Sequence, residues 1–422
     1  MPERDLSVVV LGASGVTGRS VAAYLADRAE EVGVRWAAAG RDPARVAGVL
    51  DEIGVSAPEL IRADVEDPAS LAAMASRTHV VLDLVGPYTL HGRPVIEACV
   101  DNGAHYVDLT GEIPFVQRII EAFHQRATDA GVKVMQVSGF EALPPDLGVL
   151  LAAEAARERW SEDLAQADVV VSARQPPGRV GMADIISGGT MQSMAEALDC
   201  DNAAAVTDSG ALVEDPGFAE DVRRTSPIAL APRFTSDGAA IAPMSPAAFI
   251  NPAVIHRTTA LIAAEQGRRP TPIRYREGIA IPGGAATLPL RYVAAGSLAG
   301  IQAGVMQLAR AGAGVRGRAA SLMRRAFPSS GFGPSGPALE QWSWKLTVEA
   351  RTGDGHHVRV ELDADGHPGY LTTAKMLGEA GLMLAEEGVT PARSGCLTPA
   401  AALGTQSIDR LTAAGMRFAV TS

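Results

Sequence analysis

The chain has 422 residues, about two or three domains' worth, so it can bury a full core and still carry a cleft. With 47% apolar and 20% charged residues, 44 Gly and 27 Pro, it reads as globular rather than disordered or collagenous. A net charge of −11 argues against a nucleic-acid partner, because phosphate contacts need basic surface. None of its lysines, Lys133, Lys345 and Lys375, follows a glycine, so a P-loop is excluded. Cys99, Cys200 and Cys396 are far apart and form no CxxC pair, which suggests neither a disulfide framework nor a metal site and fits a reducing cytoplasm. Acidic Glu3 and Asp5 lead straight into an apolar run, so no signal peptide is expected.

In chain order, a β-branched run at 6–11 ends in Gly12, and Gly15, Gly18 and the apolar-periodic Val21, Ala22 and Leu25 follow, predicting strand, glycine turn and helix. The alternation repeats. Strands are expected at 35–39, 60–63, 79–85, 105–107 and 132–137; Asp42-Pro43 and Asp67-Pro68 read as helix caps, and further helices are expected at 94–101 and 114–129, stopped by Gly103 and Gly131. Six strands alternating with helices predict an α/β fold with a doubly wound parallel Rossmann sheet. Beyond it come a helix at 146–159, a strand at 168–173, and Gly188-Gly189-Thr190 ahead of a helix at 191–198. Residues 201–252 read as surface loops, 342–351 and 357–362 as a hairpin around Asp354-Gly355, and 373–386 as a helix.

The segment 278–339 stands apart, because it holds no Asp or Glu while Arg291, Arg310, Arg316, Arg318, Arg324 and Arg325 lie there. Its uncharged run 293–309 is interrupted by Gly and Ser and is marginal in length and hydrophobicity for a membrane span, so a transmembrane helix is rejected. Three readings stay open: a lid or groove helix for an acyl chain, a basic amphipathic helix on a membrane surface, or a buried packing helix.

Gly12-Ala13-Ser14-Gly15-Val16-Thr17-Gly18 is a GxxGxxG form of the dinucleotide loop, whose glycines let a pyrophosphate reach the helix amides. At the end of the second strand, where an NAD site needs a carboxylate, stand Gly40 and Arg41, with Arg45 one turn later. Guanidinium groups suit a 2′-phosphate, so NADPH is the expected cofactor. Asp64, after the third strand, is a candidate for the adenine amino group. Val85, Gly86 and Pro87 after the fourth strand should lie by the nicotinamide, where Tyr88 and His91 are the candidate catalytic groups, each with a packing or surface reading beside it. Asp108, Glu112 and Glu141 belong to the same sheet edge, with capping as their plainer role.

Four stretches in this order resemble the saccharopine dehydrogenase-like oxidoreductases: Gly12 to Gly18, Gly86-Pro87-Tyr88 with Gly92, Ala104 to Glu112, and Gly139 to Gly148. Gly188-Gly189-Thr190, Gly333-Pro334-Ser335, Pro368-Gly369-Tyr370 and Leu397 to Ala402 are similar to the trans-acting enoyl reductase branch. The resemblance implies an NADP-binding domain over 1–145, an α/β substrate or dimerisation domain with a mixed sheet over 146–370, and a segment over 371–422 that returns to the first domain. It also implies reduction of an α,β-unsaturated acyl thioester in polyketide or lipid assembly, with an acyl carrier protein or polyketide synthase as partner.

None of the six tyrosines has Lys four residues on, which excludes the short-chain-dehydrogenase route to carbonyl reduction. Reducing a polarised C=C asks only for an oxyanion-stabilising donor and a proton source, and Tyr88 is the first choice for one of them, with Phe140 as a wall for the nicotinamide. Saccharopine-type imine reduction and a non-catalytic NADP-binding, lipid-associated protein are the alternatives. A homo-oligomer and membrane-peripheral attachment stay open.

Overall fold

Short, mostly buried strands, each followed by a helix, build the chain as far as residue 135. The computed structural model describes residues 4–57, 59–176, 188–234, 239–243, 247–326 and 337–422. The elements β1 (Leu6–Leu11), α1 (Val16–Val32), β2 (Trp36–Gly40), α2 (Pro43–Glu52), β3 (Leu60–Arg62), α3 (Pro68–Ala75), β4 (Thr78–Asp83), α4 (Tyr88–Asn102), β5 (His105–Asp108), α5 (Ile113–Asp129) and β6 (Lys133–Met135) alternate strictly. Asp42 and Asp67 accept from the backbone N–H groups of Arg45 and Ser70, and Pro43 and Pro68 begin the helices whose first turns those bonds close.

Next come α6 (Leu143–Trp160), β7 (Leu164–Arg174), α7 (Gly188–Asp199), α8 (Pro216–Thr225), β8 (Arg233–Phe234), β9 (Ala240–Ala242), α9 (Ala247–Glu265), β10 (Arg274–Ile281), α10 (Leu288–Ala309) and α11 (Ala313–Ala326). The chain then forms β11 (Ser343–Thr352), β12 (His357–Asp365), α12 (Thr373–Ala385), β13 (Gly395–Leu397), α13 (Pro399–Leu403), α14 (Ile408–Ala413) and β14 (Met416–Thr421).

The first sheet runs β13-β6-β5-β4-β1-β2-β3 with every pair parallel. Its order reverses between β1 and β4, which opens a crevice beyond the carboxyl ends of those two strands. The second sheet runs β14-β12-β11-β7-β10-β9-β8 and is mixed, parallel only between β7 and β10. Helix α6 packs under β11 and β12, where Gly148 lets Val348 and Leu362 come within about van der Waals distance. Late in the chain, α12 lies on β1 and β4, β13 extends the first sheet, and β14 extends the second.

Two expectations are corrected. Residues 201–252 are not surface loops: α8, β8, β9 and the start of α9 lie there, and Leu212, Phe218, Val222, Ile241 and Ile250 are buried. Helix α9 is apolar on nearly every side and contains Pro252, so it carries no helical period to detect. Helix α4 begins at Tyr88 rather than near Pro94, because the Glu112 carboxylate accepts from the backbone N–H groups of Tyr88 (2.9 Å) and Thr89 (2.8 Å) and so caps a turn that has no local cap. Gly333-Pro334-Ser335 lies outside the described residues.

Helix α12 is held by one buried carboxylate. Glu379, fully buried, accepts from the Tyr24 hydroxyl (2.6 Å), Arg28 Nε (2.8 Å) and Arg410 Nε (3.1 Å), tying α1 and α14 to α12. Removing it takes the buried partner from two arginines that are only partly solvated, leaving Arg28 with Glu31 and Arg410 with Glu386 at the surface. Glu379→Ala is therefore expected to lower stability by about 3 kcal/mol, read as a lower denaturant midpoint in equilibrium unfolding.

Candidate active site

The turn after β1 needs glycine at two positions, Gly12 and Gly18, where a side chain has no room. Gly12 has φ of +86°, and a Cβ on it would lie 2.9 Å from Val85 Cγ2. A Cβ on Gly18 would lie 2.1 Å from the Gly12 carbonyl oxygen, so α1 can approach β1 only with glycine there. The Gly15 N–H donates to that same carbonyl (2.9 Å), and Gly15 caps α1 without any side-chain acceptor. Ser14, Val16 and Thr17 stand half-buried around these amides, which can take an anion.

At the end of β2, Gly40 packs on Val46, leaving the chain free to turn outward. Arg41 and Arg45 are exposed, and among the described residues no carboxylate pairs with either guanidinium. Asp64 accepts from the Glu66 N–H (3.1 Å) and so caps its own turn after β3, within 4.0 Å of Arg62.

Beyond β4, Val85 leans on Gly12, and Gly86, exposed, opens the loop to the crevice. Tyr88 does not face that opening. Its ring is 5% exposed and stacks near Phe115, and its hydroxyl donates to the Asp83 carbonyl (3.0 Å). In this geometry the ring packs and the hydroxyl is engaged by main chain. His91 is half-buried in the first turns of α4, and neither ring nitrogen has a hydrogen-bond partner among the described residues. The Phe140 ring packs edge-on against Trp344 (4.8 Å), and its N–H donates to Thr373 Oγ1 (3.2 Å).

A chain of buried acids floors the crevice. The Tyr106 hydroxyl lies 3.1 Å from Asp83 Oδ2 and 3.0 Å from Asp108 Oδ2. One phenolic proton can serve only one of these contacts, so the second needs a proton from a carboxyl group. Burial supplies the reason, pushing Asp83 up to about 8 and Asp108 up to about 7. Glu112 is the helix cap described above. Glu141 folds back over Gly139, its Oε2 2.6 Å from where a Cβ would stand, and burial raises its pKa.

Sequence reasoning missed two groups. Ser193 on α7 has its Oγ 3.8 Å from where a Cβ on Gly86 would sit, so α7 roofs the loop; the glycines at 188–189 were the signal for it. Glu277 accepts from Asn251 Nδ2 (2.6 Å) and the Tyr275 hydroxyl (2.7 Å), and burial pushes it up to about 7. Asn251 lies 26 residues before Glu277, at the end of the stretch read as loops, and the packing of α9 on β10 joins it to Tyr275 and Glu277.

Residues 8–135 match the family model of the saccharopine dehydrogenase NADP-binding domain. Mycobacterium tuberculosis has relatives 33% identical over 432 residues and 32% identical over 437, each alignment covering 99% of this chain and 98% of the relative. The second is named a trans-acting enoyl reductase, as is a Mycobacterium ulcerans protein 31% identical over 435 residues. The chain belongs to the saccharopine dehydrogenase-like oxidoreductases, in their trans-acting enoyl reductase branch. Saccharopine dehydrogenase (L-Glu forming) from Saccharomyces cerevisiae shares the fold, with a TM-score of 0.50 at 13% identity over 98% of this chain and 99% of its own. This family member is thus an NADP-dependent oxidoreductase. The glycine-rich turn and the unpaired arginines fit that cofactor.

The acid floor has a measurable consequence. Asp83 and Asp108 keep protons in the native state that the unfolded chain loses near pH 4, so stability should fall as pH rises from about 4 to about 8. Asp108→Asn, which cannot ionise, should make that fall shallower in urea unfolding across the range.

Proposed function

We propose that the protein reduces the C=C bond of an α,β-unsaturated acyl thioester with NADPH, in trans, for a polyketide or lipid assembly line. The observation that carries this reading is the relatedness over 99% of the chain to proteins named for that activity. When bound, NADPH supplies the hydride. Gly12, Ser14, Gly15, Val16, Thr17 and Gly18 receive the pyrophosphate through the amides of α1. Arg41 and Arg45 take the 2′-phosphate, with Gly40 giving room, and Asp64 reaches the adenine. Val85, Gly86 and Pro87 border the nicotinamide, and α7 excludes water from above.

With the Tyr88 hydroxyl engaged, His91 is the proton source for the α-carbon. Imine reduction of the saccharopine type asks for cations in the cleft to pair substrate carboxylates. The two arginines of the acid-free segment that reach the α7 region are engaged there: Arg316 donates to the Leu198, Cys200 and Ala311 carbonyls, and Arg324 pairs with Glu196 and Asp199. That favours an uncharged acyl substrate.

Consumption of NADPH with a crotonyl-type thioester tests the reading; no consumption with any enoyl thioester would sink it. Arg41→Ala should weaken NADPH binding about tenfold and leave NADH nearly unchanged, measured by calorimetry. His91→Ala should lower kcat about a hundredfold with NADPH affinity intact, while Tyr88→Phe stays within about twofold of the parent.

A further inference from the structure

Helix α10 is inside out. Its buried positions are Arg291, Ala295, Gln302 and Ala309, and its polar members are anchored to main chain: Arg291 donates to the Ile281 and Gly284 carbonyls, and Gln302 Nε2 to the Pro243 carbonyl (2.7 Å). The outward side carries Leu290, Val293 and Ile301, 71%, 63% and 66% exposed, with Tyr292 and Leu298 beside them. Surface helices of globular proteins show the reverse arrangement. The patch extends on both flanks. Phe234 on β8 stacks on Tyr292 (5.3 Å), both rings exposed, and α11 adds Val315 and Leu322.

The segment that carries most of this patch has charge of one sign. Residues 278–339 hold no Asp or Glu in a chain whose net charge is −11. Arg316 and Arg324 face inward onto the α7 region, but Arg318 and Arg325 are exposed and without a hydrogen-bonding or ion-pair partner among the described residues. No helix among the described residues is long and apolar enough to cross a membrane.

We infer that α10 and α11 form a docking surface for an anionic lipid bilayer, α10 lying in the interfacial plane with Leu290, Val293 and Ile301 among the acyl chains and Arg318 and Arg325 at the headgroups. A helix of 22 residues, about 33 Å long, presents a convex ridge rather than a groove, and an interface of mobile lipids moulds to such a ridge without needing polar complementarity. Anionic headgroups match the exposed Arg318 and Arg325 of the acid-free segment. A second copy of the chain does not: a two-fold interface sets the same patch on itself and would bring arginines against arginines with no acid between them. The surface also adjoins the crevice, since α11 packs on α7, whose Ser193 stands by Gly86. The docking inference does not depend on which reaction the crevice performs.

Flotation of the full chain with phosphatidylcholine vesicles, with and without phosphatidylglycerol, tests it. Binding is expected to the anionic vesicles, weakening with salt. Leu290→Ser, Val293→Ser and Ile301→Ser combined should reduce it about tenfold, and Arg318→Gln with Arg325→Gln should remove the preference for anionic vesicles. NADPH binding unchanged in both variants would show that they fold. Parent protein that stays unbound to anionic vesicles, or a serine variant that floats as well as the parent, overturns the inference. Failure to float together with a dimer that the serine variant dissolves would assign the face to a second copy instead.

Discussion

The structure depends on a close approach that only a bare backbone permits. Because a Cβ on Gly18 would come within 2.1 Å of the Gly12 carbonyl, α1 and β1 can meet only where the chain has no side chain. That contact fixes the direction of α1, and with it the free amides at the crevice. The same device recurs at the other end of the chain. Gly378 admits the Tyr24 ring, and Gly381 admits Leu82, so α12 settles on α1 and on the centre of the first sheet. The late segment that carries β13 into the first sheet and β14 into the second is thereby positioned by glycines as much as by apolar burial.

Charge is handled in two ways beneath this framework. Glu379, between two arginines and a tyrosine, is compensated by hydrogen-bonded cations. Asp83, Asp108, Asp146 and Glu277 have no such cation in direct contact among the described residues, and burial pushes each toward the neutral acid instead. Neutral acids suit their position: two of them close the strand ends next to a crevice that receives a polyanionic cofactor, and a pair of ionised carboxylates there would repel it. A protonated carboxyl still donates a hydrogen bond, so the floor stays rigid without carrying charge.

What the sequence disclosed follows from how local each cause was. The caps at Asp42 and Asp67, the left-handed stop at Gly103 and the glycine turn act over three or four residues, and all were readable. The start of α4 was not, because its cap, Glu112, lies 24 residues on. The fate of Tyr88 was hidden as well, because its ring meets a ring of α5 and its hydroxyl turns back to a carbonyl of β4. Helix α9 escaped because a helix buried on all sides loses its period. For α10 the composition indicated a helix, yet nothing local says which side of a nearly uncharged helix faces the protein. That was decided by two anchors, Arg291 and Gln302, finding carbonyls to satisfy.

The absence of acid in 278–339 therefore has two causes, and they separate by direction. The inward arginines need no acid of their own segment, because α7 brings Glu196 and Asp199 and the chain after it brings the Cys200 carbonyl. These contacts pin α11 onto the helix that roofs the crevice. An acid within 278–339 would compete for those guanidinium groups and loosen that roof. The outward arginines answer to no such demand, since nothing in the described fold pairs with them. Folding alone thus accounts for half of the pattern. The other half, exposed arginine beside exposed leucine, valine and isoleucine, costs solubility and contributes nothing to the core, which is the signature of a surface kept for contact with something outside the molecule.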